Sequence, residues 1–393
     1  MEVAKDNRSR RAIPYGRQHI TDEDIAEVSK TLRSDFLTQG PMISEFENEF
    51  AEYVGSKYAV AVANGTAALH LCAMALNVVP GNKVLTTPIS FAASANCVLY
   101  CGGEIDFVDI DPKTALMDLD KLEAKLDNSS PGTYAGIVPV HFAGATVNLE
   151  RLRLIAERHN LWILEDACHA PGGTFQGEDG TSYNCGGNPF SDCAIFSFHP
   201  VKHVACGEGG MITTNSPEIR DKIQLLRTHG ITKDPSLLSE NHGGWYYEMQ
   251  ELGYNYRLSD IHAALGVSQL RRADSGLQRR RALADTYDRA FSGTAVRPLG
   301  PQNRTGHAFH LYVVRVPERK ALYDHLRSQQ IFAQVHYIPI HLQPHYQKSG
   351  FRCGDFPNAE EYYEGCLSLP MYPTLTDEEQ EYVIENILAF TDS

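Results

Sequence analysis

Lys202 stands in Ser197-Phe-His-Pro-Val-Lys-His203, directly after the apolar run Cys193–Phe196. An ordinary lysine has a pKa of about 10.4 and is inert as a nucleophile. One at the end of a buried strand can lose its proton through desolvation or neighbouring cations and attack a carbonyl carbon. In isolation the motif also reads as a surface lysine in a loop. Glu165-Asp-Ala-Cys-His169 follows a second apolar run, Leu161–Leu164. A carboxylate at such a strand end needs a cation or several donors. Asp166 there suits a metal, a ribose hydroxyl, a protonated ring nitrogen or a helix cap. Asn64-Gly-Thr-Ala67 lies between the run Tyr58–Ala63 and a helical stretch. Small residues feeding a helix start leave N–H groups that favour a phosphate, while a plain turn capped by Thr66 has the same local pattern. Gly253-Tyr-Asn-Tyr-Arg257 adds an amide and a guanidinium ahead of a further helix.

Other chemistries find less support. His199 and His203 are four apart, but Pro200 and Lys202 spoil a ligand face between them, so no metal is expected. No phosphate-binding Gly-x-x-x-x-Gly-Lys-Ser/Thr and no Gly-x-Gly-x-x-Gly fingerprint occurs. Arg279-Arg-Arg281 reads as a solvated helix face. Taken together, a phosphate cradle, a carboxylate for a pyridinium nitrogen and a nucleophilic lysine are what pyridoxal phosphate requires.

These residues need elements that hold them together. Tyr58–Ala63, Val84–Thr87, Ile105–Ile110, Ile137–His141, Leu161–Leu164, Cys193–Phe198 and Gly210–Thr214 are strand candidates. Helical stretches such as Phe91–Tyr100 and Leu149–Arg158 separate several of them, which predicts an α/β fold with a mostly parallel sheet between helices. Ligands gather at the carboxyl ends of such strands. Thr21-Asp-Glu-Asp24 predicts a capped helix to about Arg33, and Ile43, Phe46, Phe50 and Tyr53 predict a second one. Ser259 to about Phe291 predicts one long helix burying Ile261, Leu265, Leu270, Leu277 and Leu283. The expected organisation is a flexible arm over residues 1–12, a large domain over 13–290 that includes the long helix, and a smaller C-terminal α+β domain over 291–393.

The chain has 393 residues and a net charge of −14, which disfavours nucleic acid or a membrane surface as partner. Met1–Arg11 has no apolar stretch, and no run approaches the length of a membrane span. Nine scattered cysteines without a Cys-x-x-Cys pair read as reduced thiols, so the expected location is cytoplasmic.

At these residues the chain resembles the DegT-type nucleotide-sugar aminotransferases, fold-type-I pyridoxal phosphate enzymes. The likeness runs from Ile13-Pro-Tyr-Gly-Arg17 to Leu367-Ser-Leu-Pro-Met-Tyr-Pro-Thr-Leu-Thr-Asp377, and Gly207-Glu-Gly-Gly210 completes the lysine motif. It implies that Lys202 holds the cofactor's aldehyde as a Schiff base and that Asp166 pairs with the pyridine nitrogen. Thr66 and Ala67 would hold the phosphate with Ser197, Phe91 would stack on the ring, and His169 would line the pocket. Asn255 would reach the cofactor phosphate of a neighbouring subunit, making a homodimer. Ser34–Pro41, Trp245–Arg257 and His336–Pro344 are most similar to the PseC-type transaminases of pseudaminic acid biosynthesis. That likeness implies that Tyr15, Thr38, Gln39, Gly40, His336 and Tyr337 contact the nucleotide sugar, with L-glutamate as amino donor. Other sugar transaminases of the perosamine or 4-amino-arabinose type, and a pyridoxal phosphate-binding regulator without turnover, are the alternatives. Two departures from the family pattern are the long stretch Gly177–Asn188, expected at the pocket rim, and Cys168, where alanine is commoner.

Overall fold

The computed structural model describes residues 12–300 and 304–391; the expected N-terminal arm lies outside them apart from Ala12. At the centre are seven strands: β1 (Tyr58–Val62), β2 (Lys83–Thr86), β3 (Glu104–Phe107), β4 (Tyr134–Ile137), β5 (Trp162–Asp166), β6 (Cys193–Ser197) and β7 (Gly210–Thr214). They are ordered β1-β7-β6-β5-β4-β2-β3. The run from β6 to β3 is parallel throughout, and β7 is antiparallel to both β6 and β1. The fold is α/β, with the mostly parallel sheet that strand–helix alternation predicts.

Alternating side chains bury the sheet on both faces. Val60, Val62, Ile195 and Ile212 enter one core with Leu69 and Leu71, while Ala61, Phe196 and Met211 enter another with Phe46 and Phe50. The helices start where the sequence supplies caps. In α1 (Asp22–Leu32), Thr21 and Asp24 exchange a capping box. In α2 (Pro41–Val54), proline occupies the first turn and Gly55 ends it at φ +83°. In α3 (Gly65–Ala75) the cap is Asn64, not Thr66. The helices α4 (Ala93–Tyr100) and α5 (Leu149–Arg158) complete the strand–helix repeats used below.

Two expectations change. The long helix is broken into α6 (Asp260–Leu270) and α7 (Ala273–Phe291). The buried Asp24 carboxylate explains the break: it accepts from Ser268 and Gln269, each at 2.7 Å, and from the Arg272 guanidinium, tying the end of α6 to α1. Leu270, Leu277 and Leu283 are buried, whereas Ile261 and Leu265 are only half-buried. Strand β4 begins earlier than expected and ends at Ile137, because Pro139 has no N–H to continue the ladder.

A further core joins Leu283, Tyr287 and Phe291 of α7 to Tyr312, Val314, Leu367, Leu369 and Ile387. It includes α8 (Arg319–Ser328) through Leu322 and Leu326, and α9 (Asp377–Thr391) through Val383 and Ile387. Ile13–Pro14 also pairs there, parallel to Ile331–Phe332.

Candidate active site

The carboxyl ends of β1, β5 and β6 open on one cavity of about 630 Å³. At the end of β1, the Asn64 side chain accepts the Ala67 N–H at 2.8 Å. The amides of Gly65 and Thr66 belong to the first helical turn, where no intrahelical carbonyl reaches them. Two glycines allow the close approach that builds this corner. A Cβ at Gly65 would lie 3.0 Å from the Ser197 Cβ, and one at Gly210 would lie 2.5 Å from the Asn64 carbonyl oxygen. Ser197 therefore closes against the start of α3. A helix start with an adjoining hydroxyl is an anion cradle.

Asp166 is the last residue of β5, at the strand end expected, and is buried. It accepts the Ser94 hydroxyl at 2.6 Å and the Cys168 N–H at 3.2 Å. Ser94 in turn lies 2.6 Å from the Ser90 hydroxyl. Glu165 points away from the cavity, and its carboxylate accepts from His141 at 2.9 Å, Asn188 at 2.8 Å, the Gly186 N–H at 3.1 Å and the Ser191 hydroxyl. With Cys185, His141 and Glu165 cluster tightly enough for a metal. Yet His141 Nδ1 accepts the Val147 N–H at 3.1 Å and the Glu165 oxygens have four donors. The group is a hydrogen-bonded brace beneath Asp166.

Lys202 follows β6 in a turn closed by its N–H on the His199 carbonyl at 2.8 Å. Its Nζ lies 3.3 Å from His310 Nε2. Burial pulls the amine below its ordinary pKa, against the opposing fields of Cys168 and Asp166. His169 Nδ1 accepts the Ala143 N–H at 3.2 Å, so its ring proton sits on Nε2, 3.3 Å from the Tyr337 hydroxyl. Burial and the Lys202 charge hold His169 well below the usual histidine range. The same causes push His336 down to about 3. The Cys168 thiol is pushed well up by burial and then by Asp166, leaving it inert. His203, weighed as a metal ligand, instead bonds the Ala308 carbonyl at 2.8 Å.

Thr66, Ala67, Phe91, Asp166, His169, Ser197 and Lys202 all border this cavity, as do Tyr15, His336 and Tyr337. Phe91 is 63% exposed, offering a free ring face, and its centroid is 6.3 Å from that of Tyr337. Thr38, Gln39, Gly40 and Asn255 do not border it. Thr38 bridges Ser259 and Gly40 donates to Asp260 at 2.8 Å, while Asn255 is exposed beside Thr228. Gly177–Asn188 is not at the rim either: it forms the hairpin Thr174–Gln176/Ser182–Asn184, tied to Val54 through Asn184. The sequence reading missed Ser90, Ser94, Glu208, Tyr256 and His310. Glu208 and Tyr256 stand inside motifs quoted above, and Ser90 and Ser94 are four apart leading into α4, whereas His310 carried no such signal.

The cavity thus presents an anion cradle, a carboxylate and an amine of lowered proton affinity at one end of the sheet. The profile of the DegT/DnrJ/EryC1/StrS aminotransferase family matches residues 18–388. Spore coat polysaccharide biosynthesis protein SpsC of Bacillus subtilis is 40% identical over 388 residues, covering 95% of this chain and 96% of its own. Putative sugar aminotransferase Spr1654 of Streptococcus pneumoniae, in its PLP form, superposes with a TM-score of 0.88 at 32% identity, covering 97% of this chain and 99% of its own. Helicobacter pylori PseC, an aminotransferase of pseudaminic acid biosynthesis, does so with a TM-score of 0.87 at 31% identity, covering 97% and 100%.

Proposed function

The chain belongs to the DegT/DnrJ/EryC1/StrS aminotransferase family, and we propose that it moves the amino group of L-glutamate to C4 of a UDP-linked 4-keto-6-deoxy-N-acetylhexosamine. The products would be 2-oxoglutarate and UDP-4-amino-4,6-dideoxy-N-acetyl-β-L-altrosamine, the amino sugar nucleotide of the pseudaminic acid route. One observation carries the transaminase reading: three separate strand ends deliver an anion cradle, Asp166 and Lys202 to a single cavity.

Those residues fit pyridoxal phosphate, the family's cofactor. When bound, it supplies an aldehyde carbon that carries the amino group and a ring that takes up the electron pair of a broken C–H bond. In this reading the helix start at Thr66 and Ala67 binds its phosphate with the Ser197 hydroxyl. Asp166, oriented by Ser94, holds the proton on the ring nitrogen, and Phe91 covers a ring face. His169 fills the wall beside it as a neutral imidazole. Lys202 would hold the aldehyde, and its Nζ would carry the proton taken from one carbon and returned to another. Tyr15, His336 and Tyr337 face the sugar nucleotide.

Thr38, Gln39, Gly40 and Asn255 serve the neighbouring subunit's cavity in a homodimer. Exposed Phe36, Leu37, Trp245 and Leu252 flank these segments and support that reading, since clustered exposed apolar side chains mark association surfaces. The division near residue 290 into a large and a small domain, and a cytoplasmic location, belong to the same reading. Among the described residues no helix is long and apolar enough to cross a membrane.

Purified protein given L-glutamate and a panel of keto-sugar nucleotides should aminate the UDP-linked N-acetylhexosamine first, by mass spectrometry. Preference for a perosamine or 4-amino-arabinose precursor would overturn the sugar assignment while leaving the transaminase standing. No 2-oxoglutarate with any acceptor would overturn both.

A further inference from the structure

Lys202 faces an unusual set of groups. Asp166 and Cys168 lie at the end of β5, Arg280 comes from α7, and the imidazoles of His169, His203, His310 and His336 complete the ring. Burial holds all four imidazoles below the ordinary histidine range, so they are neutral at physiological pH. Three of them have other hydrogen-bonding engagements: His169 with Ala143 and Tyr337, His203 with Ala308, and His336 with Ser368. Among the described residues, His310 is the imidazole hydrogen-bonded to the Lys202 amine, Nζ to Nε2 at 3.3 Å.

His310 is itself held. Its carbonyl accepts from the Arg280 guanidinium at 3.2 Å, and the same Nη1 binds the carbonyls of Phe309 at 3.2 Å and Met371 at 2.8 Å. The ring lies 4.3 Å from that of His169, centroid to centroid. For the lysine to donate to Nε2, that nitrogen must carry the lone pair, which puts the ring proton on Nδ1, an atom buried without a partner.

We infer that His310 is a positioning residue for Lys202, accepting an N–H from its amine and stabilising the ammonium that forms when the lysine takes a proton from substrate carbon. In that step a C–H bond breaks and an N–H bond forms on Nζ. The bonding pair stays on the carbon side, and nothing is oxidised or reduced. Inside a cavity facing Arg280, an ammonium without an acceptor is costly. A neutral imidazole meets the need without adding charge, and it aims the remaining N–H bonds at the cavity. This inference rests on Lys202 being the reacting amine.

The test uses the full-length chain, wild type, His310→Phe and His310→Gln. In cofactor-free protein, competitive acetylation of Lys202 across neutral to alkaline pH, read by peptide mass spectrometry, gives the amine's titration midpoint. A hydrogen bond to the charged form raises the midpoint, so His310→Phe should lower it by about one pH unit, about tenfold in proton affinity. His310→Gln, whose amide oxygen accepts, should recover most of that. With cofactor bound, single-turnover release of 2-oxoglutarate should slow about tenfold in the Phe variant and recover in the Gln variant. An unchanged midpoint in a natively folded His310→Phe protein overturns the inference. If that variant does not fold, His310→Met decides by the same readout. Borohydride trapping of cofactor on a different lysine in the wild type would instead overturn the premise, and is scored separately.

Discussion

The two walls of the cavity are made differently. The wall from β1, β5 and β6 takes its groups from strand ends, so each is fixed by backbone hydrogen bonds within a few residues of the reacting atom. Several of its polar groups, the Lys202 amine, the Ser197 hydroxyl and the first amides of α3, face the open cavity. The opposite wall, with His310, His336 and Tyr337, lies where the third core meets the first. Its groups are fixed by long-range side-chain contacts: His336 to Ser368 at 2.9 Å, Tyr337 to His169 at 3.3 Å, and the carbonyls of residues 309 and 310 to Arg280. In the proposed reading, one wall performs chemistry with local geometry and the other sets the surroundings by tertiary closure. Loss of a group on the first should remove rate without stability, whereas loss of a group that holds the second in place, such as Arg280, should cost stability.

Lys202→Ala gives the greatest expected contrast. Turnover of L-glutamate to 2-oxoglutarate should fall at least about a thousandfold while the melting temperature stays at or above the wild-type value. An equal loss of stability would erase the distinction between the walls. Arg280→Met tests the other side. It strips three buried carbonyls of their donor, so denaturant unfolding should report a loss of about 3 kcal/mol. The third expectation concerns pH. Burial lowers His307, and burial followed by the Lys202 field lowers His336, in both cases to about 3. The unfolded chain binds protons at these sites below about pH 6.5 when the folded chain does not. Their contribution is complete above that pH and is lost as pH falls toward 3, costing about 2 kcal/mol each by pH 5. Melting temperature should fall over that range, and less so in a His336→Phe protein. Smallest is Ser368→Ala, which frees the His336 ring. A loss of about 1 kcal/mol in sugar binding should raise KM about fivefold with kcat nearly unchanged.

How much of this was legible beforehand follows the same divide. Lys202 and Asp166 stand at or just beyond the ends of short apolar runs, so periodicity and the strand-end rule pointed to them before any folding was known, whereas Ser197 came from the family resemblance. The family resemblance supplied their partners in chemistry. The contact of Ser94 with Asp166 was not legible because it spans 72 positions of sequence, and that of His310 with Lys202 spans 108. No local pattern around His310 signals a contact with Lys202. The break between α6 and α7 was hidden for the same reason: Arg271-Arg272 continues a helical pattern, and only the distant Asp24 carboxylate ends it. The Gly177–Asn188 hairpin shows the converse error, an unusual local stretch that tertiary packing keeps away from the rim.

The glycines at 65 and 210 bear on any attempt to retrain this protein for another sugar. They hold β6 and β7 against the turn that begins α3, with no room for even a methyl group at 210. A mutagenesis library should leave both codons untouched and spend its diversity at 15, 336 and 337, which border the same cavity without building its floor.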